Sequence, residues 1–130
     1  IRLYMLDRAE SVKVLDETFE MPESFDAEDY FEDFYGVRRS ENEKQRVLLK
    51  VTAKNRDLVR TVALHRSQAE IETNVEYSVF EYFLRPNFDF KQEIISYLDS
   101  AEVLEPLSLR KEIGRLVLNV YMKYRKDVKR

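Results

Sequence analysis

His65 is the one imidazole in the chain, and it stands in the run Leu64-His65-Arg66-Ser67-Gln68. An imidazole can act as a general base or ligate a metal, but either role needs partners: a nucleophile, an orienting carboxylate or further ligands. Those partners are missing from the sequence. There is no cysteine, no His-x-x-x-His pair and no Asp-x-Asp-x-Asn-Gly loop, so neither zinc nor an EF-hand calcium has its ligand set. Gly36 and Gly114 are the only glycines, which excludes a Gly-rich phosphate loop and a Gly-x-Ser-x-Gly elbow. The acidic pairs Asp16–Glu17 and Glu28–Asp29 fall in stretches that read as solvated faces, not as the facing carboxylates of a glycosidase. His65 therefore reads as a residue whose hydrogen bonds fix a loop. We expect no catalytic residue, no metal and no cofactor, and look for a binding surface.

The elements that must position such a surface begin with composition. The 130 residues are 44% apolar and 36% charged, with 8 Phe, 8 Tyr and only 3 Pro, which describes one folded domain, or one domain carrying a fragment of another. The absence of cysteine suits a reducing cytoplasm, and a cytoplasmic location is expected. No apolar run approaches the roughly 20 residues of a bilayer span, so no membrane partner is expected, and no signal peptide opens the chain. A start at Ile1 without Met suggests trimming from something larger. The net charge of -3 is unevenly spread: residues 1–36 hold 3 basic and 11 acidic side chains, leaving 19 basic against 14 acidic for the rest. An acidic first third repels phosphate. The tail Lys123, Arg125, Lys126, Lys129 and Arg130 is the one basic cluster, and cations at a helix C-terminus also suit the macrodipole.

Along the chain, residues 3–6 and 12–15 are short apolar or alternating runs that predict strands. Asp26 can cap a helix over 26–35 that Gly36 ends, with Tyr30, Phe31, Phe34 and Tyr35 on one aromatic face. The polar run 38–45 reads as a loop. A strand over 47–53 follows, then a short helix marked by Leu58, Val59, Val62 and Ala63, then two alternating strands over 70–77 and 77–84 with a turn near 74–78. Asp89 can cap a helix through 93–98, and residues 101–105 form a final strand. After Pro106, with Ser108 as a possible cap, Leu109, Ile113, Leu116, Val117, Val120 and Tyr124 recur at helical spacing. Gly114 inside that helix costs about 1 kcal/mol relative to Ala, which suggests a close packing approach there. The apolar stripe of this last helix covers the open sheet face, packs on the aromatic helix, or meets a copy of itself.

The predicted fold class is α+β: a ferredoxin-like βαββαβ sandwich, with a four-stranded antiparallel sheet and two helices, flanked by an N-terminal β fragment, a linking helix and a long C-terminal helix. Residues 1–20, 21–45 and 46–130 are the expected divisions.

The runs Ile1 to Arg8, Phe25 to Val37, Leu64-His65-Arg66-Ser67-Gln68 and Glu102-Val103-Leu104-Glu105-Pro106, in that order and spacing, resemble the C-terminal part of bacterial WYL-domain transcriptional regulators: the closing WYL strand, the linking helix and the C-terminal extension known as WCX. Ala9 departs from the Ile or Met usual after the opening motif. On this resemblance His65, Ser67, Gln68 and Pro106 are structural signature positions. The resemblance implies a DNA-binding regulator whose helix-turn-helix and most of whose WYL domain lie upstream. It further implies a nucleotide or nucleic-acid effector taken by the intact WYL domain, and a homodimer assembled with help from the extension. Arg2 and Arg8 match basic positions of the closing WYL strand and are the expected ligand contacts in the intact protein. Alternate strand residues share a face, so two guanidiniums six residues apart could grip one phosphate; in this chain alone they are expected to be exposed or paired with Asp7 and Glu10. Two other readings stand beside it: a free-standing ferredoxin-like small-molecule sensor, and a single-stranded nucleic-acid binder that stacks bases on Tyr77, Phe80, Tyr82 or Phe83.

Overall fold

The sheet is built outward from one strand. In a computed structural model, which describes residues 4–128, β1 (Gln45–Thr52) alternates Val47, Leu49 and Val51 inward, each fully buried. β3 (Tyr77–Leu84) pairs with it antiparallel from Gln45 opposite Leu84 to Thr52 opposite Tyr77. β4 (Ala101–Glu105) pairs antiparallel on its other side, with an irregularity between Leu48 and Leu49. β2 (Ala69–Thr73) lies at the edge beside β3. The resulting order, β2-β3-β1-β4, is the ferredoxin-like arrangement expected of a βαββαβ chain. α2 (Ala53–Thr61) and α3 (Phe88–Ser96) supply Val59, Phe90 and Ile94 to a core that also holds Phe80, Tyr82, Leu84 and Val103. Burial pushes the Tyr82 phenol far above its ordinary range, because the anion would have to leave water.

The β2–β3 turn forms where expected without an Asn-Gly dipeptide. Asn74 replaces it: its Oδ1 accepts from the Glu76 and Tyr77 amides at 2.9 and 3.0 Å, a side-chain mimic of a backbone turn.

Several expectations are corrected. Residues 4–26 form no strand; they hold a single 3-10 turn, Leu6–Arg8, and leave Leu6 and Val14 about nine-tenths exposed. Alternation makes a strand only when a neighbouring strand takes up its hydrogen bonds, and no strand among the described residues adjoins this segment. Asp26 does cap α1, accepting from the Glu28 and Asp29 amides at 2.7 and 3.1 Å, but α1 is only Ala27–Phe31. α3 begins earlier than expected, capped by Asn87, whose Oδ1 accepts from the Phe90 amide at 2.8 Å; Asp89 sits inside its first turn. α4 (Leu107–Tyr124) follows a cis Glu105–Pro106 bond, with Pro106 at the capping position and Ser108 within the helix. Nothing lies within 4 Å of where a Cβ would stand on Gly114, so no close approach occurs there within the chain.

α4 runs beside α3 on β4, with Leu109 in the core. It does not cover the opposite face of the sheet, where Arg46 pairs with Glu81 and Glu105 and the Lys50 ammonium stands 4.4 Å above the Tyr77 ring.

Candidate functional site

The residues around His65 hold a neighbouring stretch of chain by its backbone. Between the end of α1 and the start of β1 the chain is irregular, so its amides and carbonyls have no ladder or helix to satisfy them. Side chains of the βαββαβ unit supply the partners.

His65 is 8% exposed. The Ser67 amide donates to its Nδ1 at 3.2 Å, so Nδ1 acts as the acceptor and Nε2 carries the proton, which it donates to the Glu32 carbonyl at 2.6 Å. Ser67 Oγ lies 2.7 Å from Nδ1 and accepts from the Phe83 amide at 2.9 Å, tying the loop to β3. Gln68 closes the loop from behind. Its amide oxygen accepts from the Leu64 amide at 3.1 Å and the Tyr82 hydroxyl at 2.8 Å, while its nitrogen donates to the Val59 carbonyl at 2.8 Å. Arg66 pairs with the Glu32 carboxylate.

The next turn of the linking segment is held by the β3–α3 corner. The Arg85 amide donates to the Asp33 carbonyl at 2.7 Å. Lys44, at 2.7 Å, and Arg85, at 3.2 Å, flank the Asp33 carboxylate and hold it below the usual carboxylate range, the Lys44 hydrogen bond being the largest cause. Asn87, buried while capping α3, donates through Nδ2 to the Tyr35 and Arg38 carbonyls at 2.7 and 2.5 Å. Asp89 Oδ2 accepts from the Val37 and Arg38 amides at 3.1 and 3.0 Å. Gly36 makes this approach possible: its φ is +67°, and a Cβ would stand 2.6 Å from Asp89 Oδ2. The Tyr35 ring meets Phe90 edge-on at 6.2 Å, so the segment is anchored in the core as well.

Chemically this is a clamp. Both ring nitrogens of His65 are engaged, so it offers no free base or ligand to the shallow hollow that it lines with Phe31, Phe34 and Arg66. Among the described residues, no group of three or more His, Cys, Asp or Glu is placed to hold a metal ion, and no helix is long and apolar enough to cross a membrane.

The predicted site residues separate. His65, Ser67 and Gln68 come together as one loop, and Pro106 lies apart between β4 and α4. Arg8 closes the 3-10 turn of the N-terminal segment, exposed, beside Tyr4 and Met5, with no ion pair to Asp7 or Glu10. Arg2 lies outside the described residues. Of the four aromatics offered for base stacking, Phe80 and Tyr82 are buried in the core; Tyr77 and Phe83 face the other way, with the Tyr77 hydroxyl bonded to Glu72 at 2.7 Å. Arg85, Asn87 and Asp89 were not foreseen as a group. Pro86-Asn87 ahead of an apolar helical run signalled a cap, but the second use of Asn87 and Asp89, on a segment about fifty residues earlier, carries no local signal.

The family of WCX domains matches residues 43–120. The chain belongs to the WCX domain family. The match spans the whole βαββαβ unit and most of α4, and the clamp is therefore a WCX loop and corner gripping the segment that leads into the WCX domain. No match is found among curated proteins.

Proposed function

We propose that this chain is the regulatory, ligand-response and oligomerisation portion of a bacterial WYL-type transcription regulator, a binding module and not an enzyme. The observation that carries the reading is the clamp: the WCX domain holds the linking segment by six backbone groups, from the Glu32 carbonyl to the Arg38 carbonyl. Backbone capture of this kind makes the linker a rigid extension of the domain, so a displacement of residues upstream of Ala27 reaches the sheet instead of dissipating in a flexible joint. The exposed apolar side chains of residues 4–21, Tyr4, Leu6, Val12, Val14 and Phe19 among them, suit a segment completed by a neighbouring WYL β-barrel. Arg2 and Arg8 are then the residues of this chain that meet a phosphate-bearing nucleotide or nucleic-acid effector in that domain, Arg8 being the one among the described residues.

Hydrogen–deuterium exchange on the intact regulator, with and without a 5′-phosphorylated single-stranded DNA oligonucleotide, tests this. Binding should change the protection of the Val37, Arg38 and Phe83 amides, and R8E should weaken binding about ten-fold, the loss of one charge-assisted contact. Binding that leaves those three amides unchanged would show that the clamp does not transmit.

A further inference from the structure

α1 stops short of the helix that its own residues encode. Asp26 caps it, Glu28 and Asp29 lie in its first turn, and Glu32 still has helical φ and ψ of -51° and -40°. Past Phe31 the amides of Glu32 and Phe34 reach only three residues back, to the carbonyls of Asp29 and Phe31 at 3.3 and 3.0 Å, the tight bonding of a fading helix. Yet Gly36, the residue that would end a helix over 27–35, already holds the left-handed φ of +67° that such an ending uses. The stop is in place, and the helix before it is not.

The missing turn lacks free partners. Where a helix ends on a left-handed glycine, the glycine amide donates to the carbonyl three residues before it, and the following amide donates to the carbonyl five before itself. For this segment those bonds run from Gly36 to Asp33 and from Val37 to Glu32. The clamp has taken three of the four groups: His65 Nε2 bonds the Glu32 carbonyl at 2.6 Å, the Arg85 amide bonds the Asp33 carbonyl at 2.7 Å, and Asp89 Oδ2 accepts from the Val37 amide at 3.1 Å. The fourth, the Gly36 amide, belongs to an exposed residue and has no hydrogen-bond partner among the described residues. Val37 and Phe31 also stand at the two positions whose apolar contact accompanies this kind of helix ending.

We propose that the linking segment is a two-state element, either clamped as it stands or released into a helix over 27–35 that ends on Gly36. The inference rests on the regulatory reading proposed above and names what the clamp holds back. The two forms differ in their aromatic packing. In the longer helix Tyr30 and Phe34, and Phe31 and Tyr35, fall four residues apart on one stripe. In the clamp Tyr35 is drawn away onto Phe90, 6.2 Å off, and Phe31 meets Tyr30 edge-on at 5.0 Å. The clamp prevails in the chain by itself, because a helix this short is marginal in water without a covered face. Upstream contacts that favour one aromatic packing over the other shift the balance, since a two-state element responds only to what distinguishes its states.

Nuclear magnetic resonance on the chain, on D33A/D89A and on D33A/H65A/D89A tests this with no effector present. Asp33 and Asp89 are partly exposed, alanine is the best helix former, and Asn87 is left to cap α3. The expected result is a stepwise move of the Cα shifts of Glu32 to Tyr35 toward helical values. In the triple variant the Gly36 amide should exchange at least about two-fold slower and the Arg38 amide faster, while Val47 and Tyr82 in the sheet keep their protection. Adding D26A, which removes the helix cap and touches no clamp bond, should return the shifts of 32–35 toward coil. Shifts that move toward coil once the clamp is cut, or a Gly36 amide that does not slow, overturn the proposal, because the clamp then holds back only a loose joint. If the triple variant loses protection throughout the sheet, D33A/D89A decides on the shifts alone. A failed switch leaves the effector experiment untouched, and amides that ignore the effector defeat the transmission reading whatever these variants do.

Discussion

The two ends of α3 are finished by opposite means. At its N-terminal end, Asn87, Asp89 and Arg85 grip one particular segment of chain through hydrogen bonds, and each grip is directional. At its C-terminal end, Ile94, Ile95 and Leu98 border a groove of hydrocarbon that specifies no orientation and no partner within the chain. Polar capture works at the first end because the linking segment is irregular and brings unpaired backbone groups that would be costly to bury alone. The second end instead leaves apolar surface in contact with water, Leu98 most of all at 79% exposure. One end is thus satisfied within the chain, and the other leaves apolar side chains exposed.

Perturbing these ends in turn separates them. The largest effect is expected from F90A, because Phe90 is fully buried and touches both Tyr35 of the linking segment, 6.2 Å away, and Tyr82 of the sheet, 5.8 Å away. Urea unfolding should show a loss of about 3–5 kcal/mol, and a loss below 1 kcal/mol would mean that the clamp end does not share the domain core. G36A comes next: it forces an alanine into a left-handed conformation and its Cβ against Asp89, which should cost about 2 kcal/mol or more and raise exchange at the Val37 and Arg38 amides. H65A strands the Glu32 carbonyl and the Ser67 amide and should cost about 1–2 kcal/mol; H65Q, able to donate to Glu32, should recover part of it. At the groove end the sign reverses. L98G relieves a left-handed strain of about 1–2 kcal/mol and adds about 0.5–1 kcal/mol of chain entropy cost, so urea unfolding should show a gain of about 0.5–1 kcal/mol in stability.

The smallest effect concerns pH and lies away from both ends. Arg60 bonds the Glu70 carboxylate at 2.6 and 2.9 Å and holds it down at about 2, from an ordinary 4.5. A depressed carboxylate stabilises the fold above its unfolded value, and that contribution is lost as pH falls through the folded one. E70Q should therefore cost a little stability at neutral pH, a small amount because the pair is solvent-screened, and flatten the acid limb of the stability curve between 4.5 and about 2, converging with the parent chain at the acid end. Thermal melts across that range would reveal a contrary steepening.

Much of this was legible in the residues. Val47, Leu49 and Val51 alternate because one face of β1 meets the core, and Asp26, Asn74 and Gly36 announce a cap, a turn and a left-handed position by side-chain chemistry alone. The Leu64-His65-Arg66-Ser67-Gln68 run was readable as a loop fixed by hydrogen bonds. What it fixes was not readable, since the Glu32 carbonyl lies 33 positions away and nothing in residues 26–35 distinguishes a helix that continues from one whose later carbonyls are claimed elsewhere. The same competition explains the short α1. The alternation over 12–15 misled for the converse reason: its pattern is that of a strand, but no strand among the described residues pairs with it.

The sequence by itself determined the local periods, the Asp26 cap and the βαββαβ order, because these depend on side chains a few positions apart. Tertiary structure alone decided that Asn87 both caps α3 and holds the linking segment, that Asp89 holds the same segment, that Leu98 is strained beside an open groove, and that α4 runs beyond its support. Those outcomes depend on which backbone groups and apolar faces are left unsatisfied once the sheet has closed, and that remainder is a property of the whole assembled surface.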